Sequence, residues 1–114
     1  MATSFHLTLV SATGKVFDGP VEALQLPGPH GYFGILAHHT ALISAVSQGL
    51  AKVIVDGEDR YFMVGDGYVE VAGNEAGVIV GEALPVSDRA TGIHLLAQEH
   101  PWAAAEALVE GAKT

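Results

Sequence analysis

Val53-Ile54-Val55, Asp56-Gly57, and then, beyond Glu58-Asp59-Arg60, Tyr61-Phe62-Met63-Val64 is the stretch that decides the fold. Two runs of β-branched and aromatic residues flank a dipeptide that readily takes positive φ. That is the signature of a tight β-hairpin. Glu58-Asp59 falls in its loop on this reading, as a solvated turn.

The same grammar extends in both directions. Upstream, Phe5, Leu7 and Leu9 alternate with His6, Thr8 and Val10, the period of a half-buried strand. Thr13-Gly14 marks a turn. Val16-Phe17 and Val21 to Leu26 are strand pieces separated by a bend at Asp18-Gly19-Pro20. Pro27-Gly28-Pro29-His30-Gly31 reads as a loop, Tyr32 to Leu36 as a short apolar strand, and Thr40 to Val46 and Leu50 to Val55 as two more. Downstream, Gly65-Asp66-Gly67 reverses the chain before Tyr68 to Val71, and Gly73-Asn74-Glu75 turns it into Val78 to Gly81. About ten short strands without a long gap predict a mainly β fold, a sandwich or barrel.

The pattern changes after Ala83, so residues 1–84 are expected to form the β domain and residues 85–114 a short helical segment. Leu84-Pro85-Val86 reads as a connector and Ser87 as the cap of a helix carrying Ile93, Leu96 and Ala97 on one face. His100-Pro101 stops it, and Pro101 opens a second helix with Trp102, Ala105, Leu108 and Val109 on its apolar face, ended by Gly111. Both are shorter than the ~12–15 residues that an isolated helix needs, so they must pack on something.

Composition narrows the function. Hydrophobic residues make up 49% of the 114, enough for one core, and there is no cysteine for disulfides or thiolate metal sites. Thirteen acidic residues against five basic ones leave nothing to neutralise a row of phosphates, which argues against nucleic acid and against anionic lipid. Between Glu22 and Lys52 there is no charged side chain at all. Pro27, Pro29 and several glycines rule this stretch out as a membrane span, and no basic region precedes an apolar run at the N-terminus as in a signal peptide. The silence fits either an interface core or the inner strands of a sheet.

No active site is visible. His38-His39 would point to opposite faces of an extended segment, with no carboxylate before Asp56 to complete a cupin-type set, so no metal is expected. Ser44 and Ser47 near His39 lack a placed acid, and neither a nucleophile elbow nor a phosphate loop is present. A cupin-like enzyme using His38, His39 and His30, or a stand-alone sandwich binding a small ligand, are the alternatives to a structural role.

Several segments resemble the epsilon subunits of F-type ATP synthases: Phe5-His-Leu-Thr-Leu-Val-Ser11, Gly14-Lys-Val-Phe-Asp-Gly19, Val21-Glu-Ala-Leu-Gln-Leu-Pro-Gly28, Gly31-Tyr-Phe-Gly-Ile-Leu36, Leu36-Ala-His-His-Thr-Ala-Leu-Ile43 and Gly65-Asp-Gly-Tyr-Val-Glu-Val71. They follow in order from Phe5 to about Ala83. The resemblance implies a ten-stranded sandwich with two C-terminal helices. It implies a non-catalytic subunit without a cofactor, peripheral on the cytoplasmic face of the bacterial inner membrane. It also implies two partners: the membrane c-ring, met by His30, Gly31 and Tyr32, and the gamma subunit, met by His39, Thr40, Ala41, Leu42 and Ile43. Alternation requires that one of Leu42 and Ile43 points inward. Ala37, His38 and Ala41 stand where the family carries Pro, Gly and Pro, and Asp66 where it carries Gly. Val86-Ser-Asp-Arg-Ala90 lacks two spacer residues of the family's ATP-binding motif, so ATP binding is not expected. The segment from Pro101 to Glu110 would span only ~15 Å as a helix, so little inhibition of rotation is expected from it.

Overall fold

The computed structural model describes residues 3–105. Ten strands form two five-stranded sheets, which confirms a sandwich. They are β1 (Phe5–Ser11), β2 (Gly14–Val21), β3 (Ala23–Gly28), β4 (Gly31–Leu36), β5 (Leu42–Val46), β6 (Gly49–Val55), β7 (Glu58–Val64), β8 (Gly67–Ala72), β9 (Glu75–Val80) and β10 (Ala83–Val86). The first sheet has the order β2-β1-β9-β8-β5, the second β10-β7-β6-β3-β4. All pairs are antiparallel except β1 with β9.

The deciding hairpin forms as expected. Asp56 (φ 51°) and Gly57 (φ 78°) both sit in the left-handed region, the requirement of a two-residue turn that matches strand twist. Glu58 and Asp59 belong to β7 rather than to the loop, because the turn takes only two residues and Val55 pairs directly with Glu58. The Pro27 to Gly31 loop is likewise tighter than expected. Gly28 pairs with Gly31, leaving only Pro29 and His30 at the tip.

Alternation builds the core. Phe5, Leu7 and Leu9 of β1 meet Leu24, Leu26, Ile35 and Val53 of the opposite sheet, and Val64, Val69, Val71 and Val78 complete the layer. Each fully buried side chain of this size contributes roughly 1.5–3 kcal/mol. Asp18-Gly19-Pro20 is no bend. It continues β2, and Pro20 is tolerated there because β2 is an edge strand. The chain bends at Glu22 instead. Leu84-Pro85-Val86 is also more than a connector, since it forms β10 on the far edge of the second sheet, paired with β7.

Helix α1 (Arg89–Leu96) follows, capped by Asp88, whose carboxylate accepts the Thr91 N–H at 2.7 Å, so the cap lies one residue beyond Ser87. That hydrogen bond holds the Asp88 carboxyl below its ordinary range. The buried face of α1 is Gly92 and Leu95, not Ile93 and Ala97. Gly92 sets this phase: a Cβ there would lie 2.5 Å from a Leu50 methyl, so the helix lies close against β6. Residues 101–105 are helical again, with Ala104 donating to the His100 carbonyl at 3.0 Å. Trp102 and Ala105 face the second sheet as expected, while Leu108, Val109 and Gly111 lie outside the described residues. Leu50, Met63, Leu95 and Ala105 form a second small core on the outer face of that sheet. The described part of the helical segment thus packs on the sandwich.

Candidate functional site

The charge-free stretch occupies one side of the sandwich. It comprises β3, β4, the connection to β5, β5 itself and the start of β6. β4 is the edge of the second sheet and β5 the edge of the first, so two sheet edges lie side by side there. Between them runs an open groove of about 420 Å³, walled by His30, Tyr32 and Phe33 from one edge and by His39, Leu42 and Ser44 from the other. No carboxylate, lysine or arginine lines it.

The two segments expected to meet different partners are therefore brought together. His30 and Gly31 are exposed at the hairpin tip, and Tyr32 is 57% exposed beside them. His39 and Leu42 are half-buried on the opposite wall. Thr40 and Ala41 are exposed but precede β5, which begins at Leu42, and they do not line the groove. Leu42 packs against the core, whereas Ile43 points to the outer face and is 73% exposed. Alternation along β5 produces that split.

The connection after β4 is a turn, not an extended segment. His39 donates its N–H to the Leu36 carbonyl at 3.2 Å, and its ring Nδ1 meets the Thr40 carbonyl at 2.7 Å. His38 adopts φ 62°, a conformation that a side chain disfavours and glycine does not. The resembling family's glycine at this position has its physical reason there. His38 is held by Asn74, whose side-chain oxygen accepts the His38 N–H at 2.7 Å and whose amide donates to the Ser4 carbonyl at 3.0 Å. Asn74 also takes the His6 N–H on its own carbonyl at 3.2 Å. One side chain thus ties the β8–β9 turn, the approach to β1 and the β4–β5 connection together.

At the other end of β5, the Gln48 N–H donates to the Asp66 carboxylate at 2.8 Å, and the Gln48 side chain accepts the Trp102 indole N–H at 3.0 Å. Sequence reading did not find Asn74 or Gln48. Asn74 shows locally only as a turn residue, and its partners lie 36 and 70 positions away.

His39 and Ser44 share the groove but make no hydrogen bond to each other, and no acid stands behind the imidazole. Among the described residues, no three histidine or carboxylate side chains come close enough to hold a metal ion, and no helix is long and apolar enough to cross a membrane. What the arrangement offers is a neutral surface of ring edges, aliphatic side chains and unpaired strand backbone.

Residues 4–86 match the family described as the beta-sandwich domain of the ATP synthase delta/epsilon chain. Over 88 residues the chain is 33% identical to an ATP synthase epsilon chain of Maricaulis maris, covering 77% of this chain and 66% of that one. It thus spans just under two thirds of the length of that relative. Among solved structures, 99% of the chain superposes on a chain of the Euglena gracilis mitochondrial ATP synthase, in a structure of OSCP, F1 and c-ring, with a TM-score of 0.70 at 22% identity, covering 66% of that chain. It also superposes on a chain from the central stalk and c-ring of the Tetrahymena thermophila enzyme, with a TM-score of 0.61 at 15% identity, covering 98% of that chain. These two likenesses concern the fold.

Proposed function

Because the chain belongs to the delta/epsilon-chain family of ATP synthases, we propose that it is the non-catalytic epsilon subunit of the central stalk, coupling the membrane c-ring to gamma. One observation carries the reading. The two segments expected to make the contacts, His30 to Tyr32 and His39 to Ile43, lie on one side of the sandwich that carries no Asp, Glu, Lys or Arg. Depletion of charge with aromatic and aliphatic side chains retained is the composition of an interface core.

In this reading His30, Gly31 and Tyr32 at the β3–β4 tip meet the ring, while His39 to Ile43 meet gamma. Torque then passes through the sandwich. Close-packed interiors are barely compressible, so the layer of Leu7, Leu26, Ile35 and Val53 transmits strain instead of absorbing it. No chemistry is asked of the subunit, and no nucleotide or metal takes part. A contact of standard size would bury about 800 Å² on each partner. The subunit sits peripherally, on the cytoplasmic face of the bacterial inner membrane. The division of labour falls near residue 84, with residues 1–84 making both contacts. Past β10, the helical residues described as far as Ala105 pack on the sandwich, and the C-terminal segment contributes little inhibition.

Calorimetric titration of the purified chain with its cognate gamma subunit tests the reading. Formation of a one-to-one complex is expected. No detectable heat and no co-elution on gel filtration would remove it.

A further inference from the structure

We propose that gamma is gripped by strand addition, an extended segment of it pairing with the free edge of β5. This rests on the gamma-binding reading above and specifies its mode.

The four sheet edges are guarded unequally. β2 carries Lys15, Asp18 and Pro20, and its pairing with β1 is broken by a bulge between Leu9 and Val10. β10 is four residues long, contains Pro85 and lies under the helical segment. Charges, proline, bulges, shortness and a covering helix are the usual ways of blocking unwanted strand pairing. β4 and β5 have none of them: neither contains a charge or a proline, and both registers run unbroken. Among the described residues no strand pairs with their outer edges, although just past β5 the Ser47 N–H donates to the Pro27 carbonyl at 2.9 Å.

Of the two, β5 is the better template. Two of the six residues of β4 are glycines, Gly31 and Gly34, which weaken a strand, whereas β5 is Leu42-Ile43-Ser44-Ala45-Val46. β5 also leaves its surroundings unfinished. Leu42 and Ser44 stay half-buried at the mouth of the groove, and Ile43 stands out on the other face. A strand laid along β5 would pair the free backbone groups and send alternate side chains into the groove. Its remaining side chains would abut Ile43 and Ala45, extending the cross-strand row Ala45, Tyr68, Ile79 and Val10. The occupant is therefore a neutral, extended segment of gamma with an apolar residue at every second position. Neither edge offers a charge to pair with a charge.

Backbone amide hydrogen exchange on the full chain, with and without gamma, tests this. Within Leu42–Val46, the amides that point away from β8 should slow by about tenfold or more on complex formation, in alternation with amides already protected by β8. A complex in which these amides exchange as in the free chain overturns strand addition and leaves gamma binding standing. Slowing at Gly31–Leu36 instead overturns the choice of β5. Failure to form a complex overturns the underlying reading itself.

Discussion

Two regions that hold apolar side chains outside the intersheet core are treated differently. On the outer face of the second sheet, Leu50 and Met63 are covered by the chain's own helical segment through Gly92, Leu95, Trp102 and Ala105. On the β4–β5 side, Tyr32, Leu36 and Ile43 stand open, 57%, 64% and 73% exposed. The first region serves folding, and on the proposed reading the second serves assembly. Substitutions in the two regions should therefore separate stability from gamma affinity.

The largest effect is expected under the helices. Met63→Ala empties a site with no exposed surface, at a cost of about 2–5 kcal/mol in urea unfolding, while the folded fraction binds gamma as before. Ile43→Asp should do the converse. Gamma affinity falls by about 2 kcal/mol or more, while unfolding stays within about 0.5 kcal/mol of the parent. Leu42→Asp blurs the comparison because Leu42 also packs on the core, and both quantities should fall. His38→Gly relieves a left-handed side chain yet keeps the backbone N–H that Asn74 accepts, and should raise stability by about 1 kcal/mol in thermal unfolding.

The smallest effect lies on the guarded β2 edge. Lys15 and then His6 donate to Asp18, holding its carboxyl below the ordinary value near 3.8. A lowered folded pKa means that the stabilisation is present above that ordinary value and is lost as pH falls through the lower folded one. Asp18→Asn should therefore lower the melting temperature slightly at pH 7. The difference from the parent should close as the pH is taken below 3.8.

Strands, turns and the core were legible because they are local. Alternation in Phe5-Leu7-Leu9 and positive φ at Asp56-Gly57 depend on neighbours in sequence. The misreadings came where tertiary context overrode a local signal. Pro20 and Pro85 read as breaks, but both lie in edge strands, where a missing N–H costs nothing. The face of α1 was misread because Ile93 and Ala97 are more apolar than Gly92, yet closeness to Leu50 selects glycine. The site was half legible. Absence of charge from residue 23 to residue 51 marked the surface, but that His30, Gly31 and Tyr32 share one groove with His39 and Leu42 depends on two sheet edges meeting side by side. Asn74 and Gln48 hold distant segments through single hydrogen bonds, which no local pattern announces.

The chain has no cysteine, so an introduced one is a clean probe. Maleimide labelling of Ile43→Cys and, separately, of the exposed helix position Ile93→Cys, each with and without gamma, reads the open edge against the helical segment directly. Gamma should shield position 43 and leave position 93 reactive. Equal labelling at 43 in the free and bound states, with shielding at 93, would place the contact on the wrong side of the molecule.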